Sequence, residues 1–172
     1  MQTYSESFID YLIHFQATRD YFECHEIMEE YWLENDRDKK WLTLIQLAVA
    51  VYHERQKNRK GSLRLYRKVL SHLDETPGML TELAIDEVVV INEVKRRIQI
   101  NLENGPFENF DLPITDPNLE KQCQTKAIKM NAKWLSHPED IDLMYKHKLR
   151  DRSDVIEARE QSKELKQKER GR

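Results

Sequence analysis

Between Trp41 and Glu54 the chain reads WLTLIQLAVAVYHE, and no other stretch restricts the fold as severely. A helix over about Lys39 to Lys57 would be apolar on nearly all sides, so it has to run through the centre of a domain. Two polar residues interrupt it, Gln46 and His53, seven apart and therefore on one face. Leu42 and Val49 lie between and beside them, a single polar seam on a central helix. Ala48 and Ala50 are small enough to let a neighbouring helix approach closely. A chain of 172 residues with 39% hydrophobic and 34% charged residues, but only 4 Gly and 5 Pro, suits an all-α protein better than a turn-rich sheet protein.

The helix before it carries the chemistry. Tyr21 to Leu33 reads YFECHEIMEEYWL, a histidine and four glutamates set among Phe22, Met28, Tyr31 and Trp32. At about 100° per residue, Phe22, His25, Glu29, Trp32 and Leu33 share one arc, with His25 one turn from Glu29. Glu23, Glu26 and Glu30 occupy an adjoining arc. The first arc predicts a polar pair buried inside an aromatic frame.

The rest of the chain predicts a compact multi-helix bundle over residues 1–135. Ser5 caps a first helix whose Phe8, Ile9, Leu12, Ile13 and Phe15 follow amphipathic spacing. Asp20 caps the second helix, which ends near Asn35. A turn over Asn58 to Gly61 leads to a fourth helix, SLRLYRKVLSHL, and Thr76-Pro77-Gly78 then breaks the chain. Asp86 caps a fifth helix over about Glu87 to Leu102. Its VVVI centre alone would also suit a strand, and the following NEVKRRIQI favours helix. Phe107 to Ile114 reads as extended, since Pro113 opposes helix and Phe110, Leu112 and Ile114 alternate. Asp116-Pro117 starts a sixth helix running to about Trp134. Residues 136–172 lose apolar periodicity and predict a charged, mildly basic helical extension. From Leu143 to Arg172 there are ten Lys/Arg against six Asp/Glu, a local charge of +4, so the body carries −7 of the formal net −3.

Charge and cysteine usage narrow the setting. A net charge of −3 argues for neither a nucleic-acid nor a membrane partner for the whole chain. MQTYSESFIDYL is too polar and acidic for a secretory leader, and no apolar run approaches the ~18 residues of a membrane span. Two cysteines, Cys24 and Cys123, then predict a cytoplasmic protein without a disulfide framework. The local exception is the run Arg55, Lys57, Arg59, Lys60, Arg64, Arg67 and Lys68. It is either a solvated face or an anion-binding patch, with Arg59, Lys60 and Arg64 as its ligand-binding candidates and a protein or nucleic acid as its partner. The basic tail is the other surface open to such a partner.

DYFECHEIMEEYW followed by LIQLAVAVYHERQKNRKGSLRLYRKVL resembles the bacterial family catalogued as domain of unknown function 309. Its pattern is Phe-Glu-x-His-Glu-x-x-Glu-x-x-Trp, then Leu-Ile-Gln with a His seven residues after the Gln, then Asn-x-x-Gly. Here it falls on Phe22, Glu23, His25, Glu26, Glu29, Trp32, Gln46, His53, Asn58 and Gly61. The resemblance covers about residues 20–70. It implies an all-helical fold and brings no activity, substrate or cofactor with it.

Two functions remain open from the residues. His25, Glu29 and His53 have the donor chemistry of a Zn or Mn site, and Glu26 could serve it as general base in a hydrolase-like enzyme. His-Glu-x-x-His is only half matched, because Glu29 stands where the second histidine belongs. The same residues with Gln46 suit a buried polar network that fixes helix register in a binding or interaction module. An open cleft at the cluster favours the enzyme; a sealed cluster favours the module.

Overall fold

The computed structural model describes residues 3–137, and its helices begin where short polar side chains can replace missing backbone partners. Helix α1 is Glu6–Gln16, α2 Tyr21–Glu34, α3 Lys39–Arg55, α4 Arg59–Glu75, α5 Met79–Glu82, α6 Glu87–Leu102 and α7 Pro117–Lys129. Ser5, Asp20, Asp38, Asn58, Asp86 and Asp116 each accept a hydrogen bond from a backbone N–H of the turn they open. Among the described residues there is no strand, only an isolated bridge between Ile85 and Ile114, so the fold is all-α. No described helix is long and apolar enough to cross a membrane. The charged extension expected over 136–172 lies, from residue 138 onward, outside the described residues.

Two helix expectations need correcting. The last helix stops at Lys129, not near Trp134, because Asn131 turns left-handed (φ 56°) and the Ala132 N–H closes back on the Ala127 carbonyl at 2.9 Å. The break at Thr76-Pro77-Gly78 also hides the short α5. It begins after Gly78 at φ 94°, and the Glu87 carboxylate accepts from the N–H groups of Gly78 and Leu80 at 2.8 and 3.0 Å. The VVVI run of α6 is helical, with Val90 fully buried while Val88 and Val89 face solvent.

Helix α3 runs between α2 and α4, as its apolar surface requires. Its inner side lies against α1, where the Tyr11 hydroxyl donates to the Leu44 carbonyl at 2.7 Å. Ala50 lets α4 approach closely enough for Ser62 Oγ to donate to the Ala50 carbonyl at 2.9 Å. Cys24 and Cys123 are free thiols buried in the core. That leaves the face of α3 bearing Leu42, Gln46, Val49 and His53 only half-buried, with α2 along one edge and α4 along the other.

The extended segment after α6 crosses the bundle as anticipated, with Phe110 and Leu112 buried. Two buried arginines hold it. Arg97 reaches Asn109 O at 2.7 Å, the Glu108 carbonyl, and Glu93 at 2.8 Å. The buried Glu54 of α3 lies 3.6 Å from Arg97 and accepts from the Tyr66 hydroxyl at 2.7 Å. Arg19 donates to the carbonyls of Phe15, Phe110 and Ser136 and pairs with Asp111 at 2.6 Å. Burial pushes the Glu54 carboxyl up, and this outweighs the lowering by Tyr66 and Arg97. Replacing Arg97 by Leu leaves that carboxylate without its cation and two strap carbonyls without their donor. The expected cost is about 3–5 kcal/mol, read as a fall in the urea midpoint at unchanged slope.

Candidate functional site

The first turns of α2 place His25 between two carboxylates. Its Nε2 lies 2.8 Å from Glu29 Oε2 and its Nδ1 3.7 Å from Glu26 Oε1. Helical spacing alone brings these three residues together, since Glu29 is one turn on and Glu26 is adjacent. The pair is not buried as expected. The His25 side chain is 24% exposed and that of Glu29 41%, while Phe22 is 45% exposed. The inward side of α2 is taken by Tyr21, Cys24 and Met28, which turns the His25 arc towards the rim.

His53 sits at the other end of a row of rings. Phe22 is 5.6 Å from the His25 ring and 6.0 Å from Tyr52, and Tyr52 is 5.8 Å from His53. The expected five-residue network therefore divides. His25, Glu26 and Glu29 form one group, while His53 Nδ1 instead meets Asn58 Nδ2 at 3.3 Å. Gln46 Oε1 and Trp32 Nε1 are buried without a hydrogen-bond partner, as is His72 Nδ1 of α4. Among the described residues no group of three or more His, Cys, Asp or Glu side chains could hold a metal ion. A Zn or Mn site on His25, Glu29 and His53, with Glu26 as base, thus gains no support. The cluster is not sealed either, so the enclosed network expected of a module is absent, and a module would have to bind through an exposed surface instead.

The Asn-x-x-Gly element has a mechanical explanation. Asn58 caps α4 by accepting from the Gly61 N–H at 3.1 Å, while its amide nitrogen faces His53. A Cβ on Gly61 would stand 2.9 Å from Asn58 Nδ2 and 3.2 Å from His53 Cδ2, so a side chain there would displace both. Burial and the nearby Arg64 charge lower the His53 pKa.

The basic run separates into two kinds of residue. Arg55 donates to the Arg19 carbonyl at 2.6 Å and lies over the Tyr21 ring, and Arg59 donates to the Gly105 carbonyl at 3.2 Å. Both are committed to the fold. Lys60, Arg64, Arg67 and Lys68 are exposed on α4. Sequence reasoning overlooked Tyr52 as the link between the two histidines, although its place beside His53 could have suggested it.

Residues 8–65 match the family described as "Domain of unknown function (DUF309)", a span that includes both histidine groups. The "Uncharacterized protein YpuF" of Bacillus subtilis (strain 168) is 39% identical over 173 residues, covering 97% of this chain and 99% of that protein. No solved structure matches.

Replacing Gly61 by Ala should push His53 outward, and Arg64→Gln should remove its positive neighbour. Each should raise the His53 pKa towards its ordinary value, as read by NMR titration of the imidazole. A lowered histidine pKa favours the neutral folded form, so this contribution to stability is lost as pH falls from about 6.5 through the lowered value. Gly61→Ala should flatten that dependence and cost about 1–3 kcal/mol.

Proposed function

We propose that this chain, which belongs to the DUF309 family of unknown function, works as a protein-binding module whose contact surface is the face shared by α2, α3 and α4. The observation that carries the reading is the half-exposure of the motif residues. His25, Glu29 and Phe22 sit on a rim, where a polar pair meant only to lock two helices would be enclosed. Exposed aromatic and charged side chains together suit a protein contact. The face is of mixed charge, with the half-exposed Glu29 on α2 and Arg64 and Lys68 on α4, which disfavours a polyanion. With Arg55 and Arg59 engaged inside the fold, the basic run is also shorter than the sequence suggests.

The test uses immobilised full-length protein. Wild type should retain a saturable protein partner that Phe22→Ala and His25→Ala lose while keeping cooperative melts. Equal retention by all three would refute the surface. RNA or DNA binding that weakens steeply with salt and disappears in Lys60→Ala/Arg64→Ala would instead identify a nucleic-acid module. Zn²⁺ and Mn²⁺ should leave the Tm unchanged. A rise abolished alike by His25→Ala, Glu29→Ala and His53→Ala would replace the module with the metal-hydrolase reading.

A further inference from the structure

We infer that the partner of this face is a second copy of the chain, docked about a two-fold axis parallel to α3; the inference rests on the reading that the face is a contact surface. The two edges of the face are opposite in charge. Helix α2 has five glutamates and no Lys or Arg, whereas α4 has five Lys/Arg and its two carboxylates only at its end. The antiparallel pairing sets their heights. Phe22 meets Tyr52 and Tyr31 meets Trp41 across α2 and α3. Lys39 pairs with Glu75 at 2.6 Å, and Gly61 abuts His53 across α3 and α4. By that register Glu29 and Lys68 stand level with the turn of α3 that carries Gln46, one on each side of it.

An isologous interface is closed by a two-fold rotation. Two axes could stack the face on itself. One perpendicular to α3 sets α2 against α2 and α4 against α4, like charge on like. An axis parallel to α3 exchanges the edges and preserves height, so Glu29 of each copy meets Lys68 of the other, with Arg64 one turn along. Charge complementarity selects the parallel axis. On that axis the half-buried seam of Leu42, Gln46 and Val49 meets its own counterpart and leaves water.

Sedimentation equilibrium of the full chain should show a dimer that dissociates on dilution and weakens with salt. Glu29→Lys and Lys68→Glu should each be monomeric alone, because each homodimer would carry two repulsive pairs. An equimolar mixture of the two should dimerise, since one bridge pairs native Glu29 with native Lys68 and the other re-forms with its signs exchanged. Oxidation of the Gln46→Cys variant provides a measurement independent of the charge variants. It should link two chains through the introduced thiol, because both native thiols are buried. A monomeric wild type, charge variants that dimerise like wild type, a mixture that stays monomeric, or a Gln46→Cys dimer that oxidation leaves unlinked would each overturn the arrangement. A monomeric wild type that still captures a different protein through Phe22 and His25 would leave the contact surface standing and remove only the self-association.

Discussion

The bundle depends on two guanidinium groups that are almost entirely withdrawn from water. A charge in the core is tolerable only when its donors are matched, and the segment that crosses the bundle supplies acceptors to both, Phe110 and Asp111 to Arg19 and Glu108 and Asn109 to Arg97. An extended strap has few internal hydrogen bonds of its own, so its carbonyls need outside donors. The guanidinium, with five N–H groups in a plane, supplies several at once. Arg97 also reaches Glu54, so strap, α6, α3 and Tyr66 of α4 share one polar system within an apolar surround. Arg19 adds a backbone constraint. It holds φ 57°, a conformation that favours glycine, while its carbonyl accepts from Arg55.

Much of this was legible in the sequence because it is governed locally. The caps at Ser5, Asp20, Asp86 and Asp116 could be read, since a short polar side chain before an apolar period has one obvious use. The central place of α3 followed from its composition, and the path of Phe110 and Leu112 from alternation around a proline. Arg19 and Arg97 were not legible. Their acceptors lie up to 117 residues away, and a lone arginine beside an aspartate reads as punctuation. Helix α5 was hidden because its capping carboxylate, Glu87, belongs to the following helix.

The candidate site divides along the same line. That His25, Glu26 and Glu29 share a neighbourhood follows from helical spacing. Whether they are buried depends on how α2 is rolled about its axis, which Tyr21, Cys24 and Met28 decide by packing inward. Periodicity identifies an arc but does not say which of two polar-flanked arcs meets the core. The Phe22–Tyr52 contact that parts the two histidines is likewise a product of tertiary packing.

The strap carries a consequence for where the unit of inheritance ends. The family match closes at residue 65, inside α4, whereas Arg97, Phe110 and Ser136 all lie beyond it. A fragment cut to that match would keep Glu54 and lose Arg97, and would keep Arg19 and lose Phe110 and Asp111. It would also sever α4 before Tyr66, the remaining donor to Glu54. The recognisable motif therefore ends short of the residues that partner its own buried charges. The B. subtilis relative, similar across 97% of this chain, is in keeping with the whole body having been inherited together.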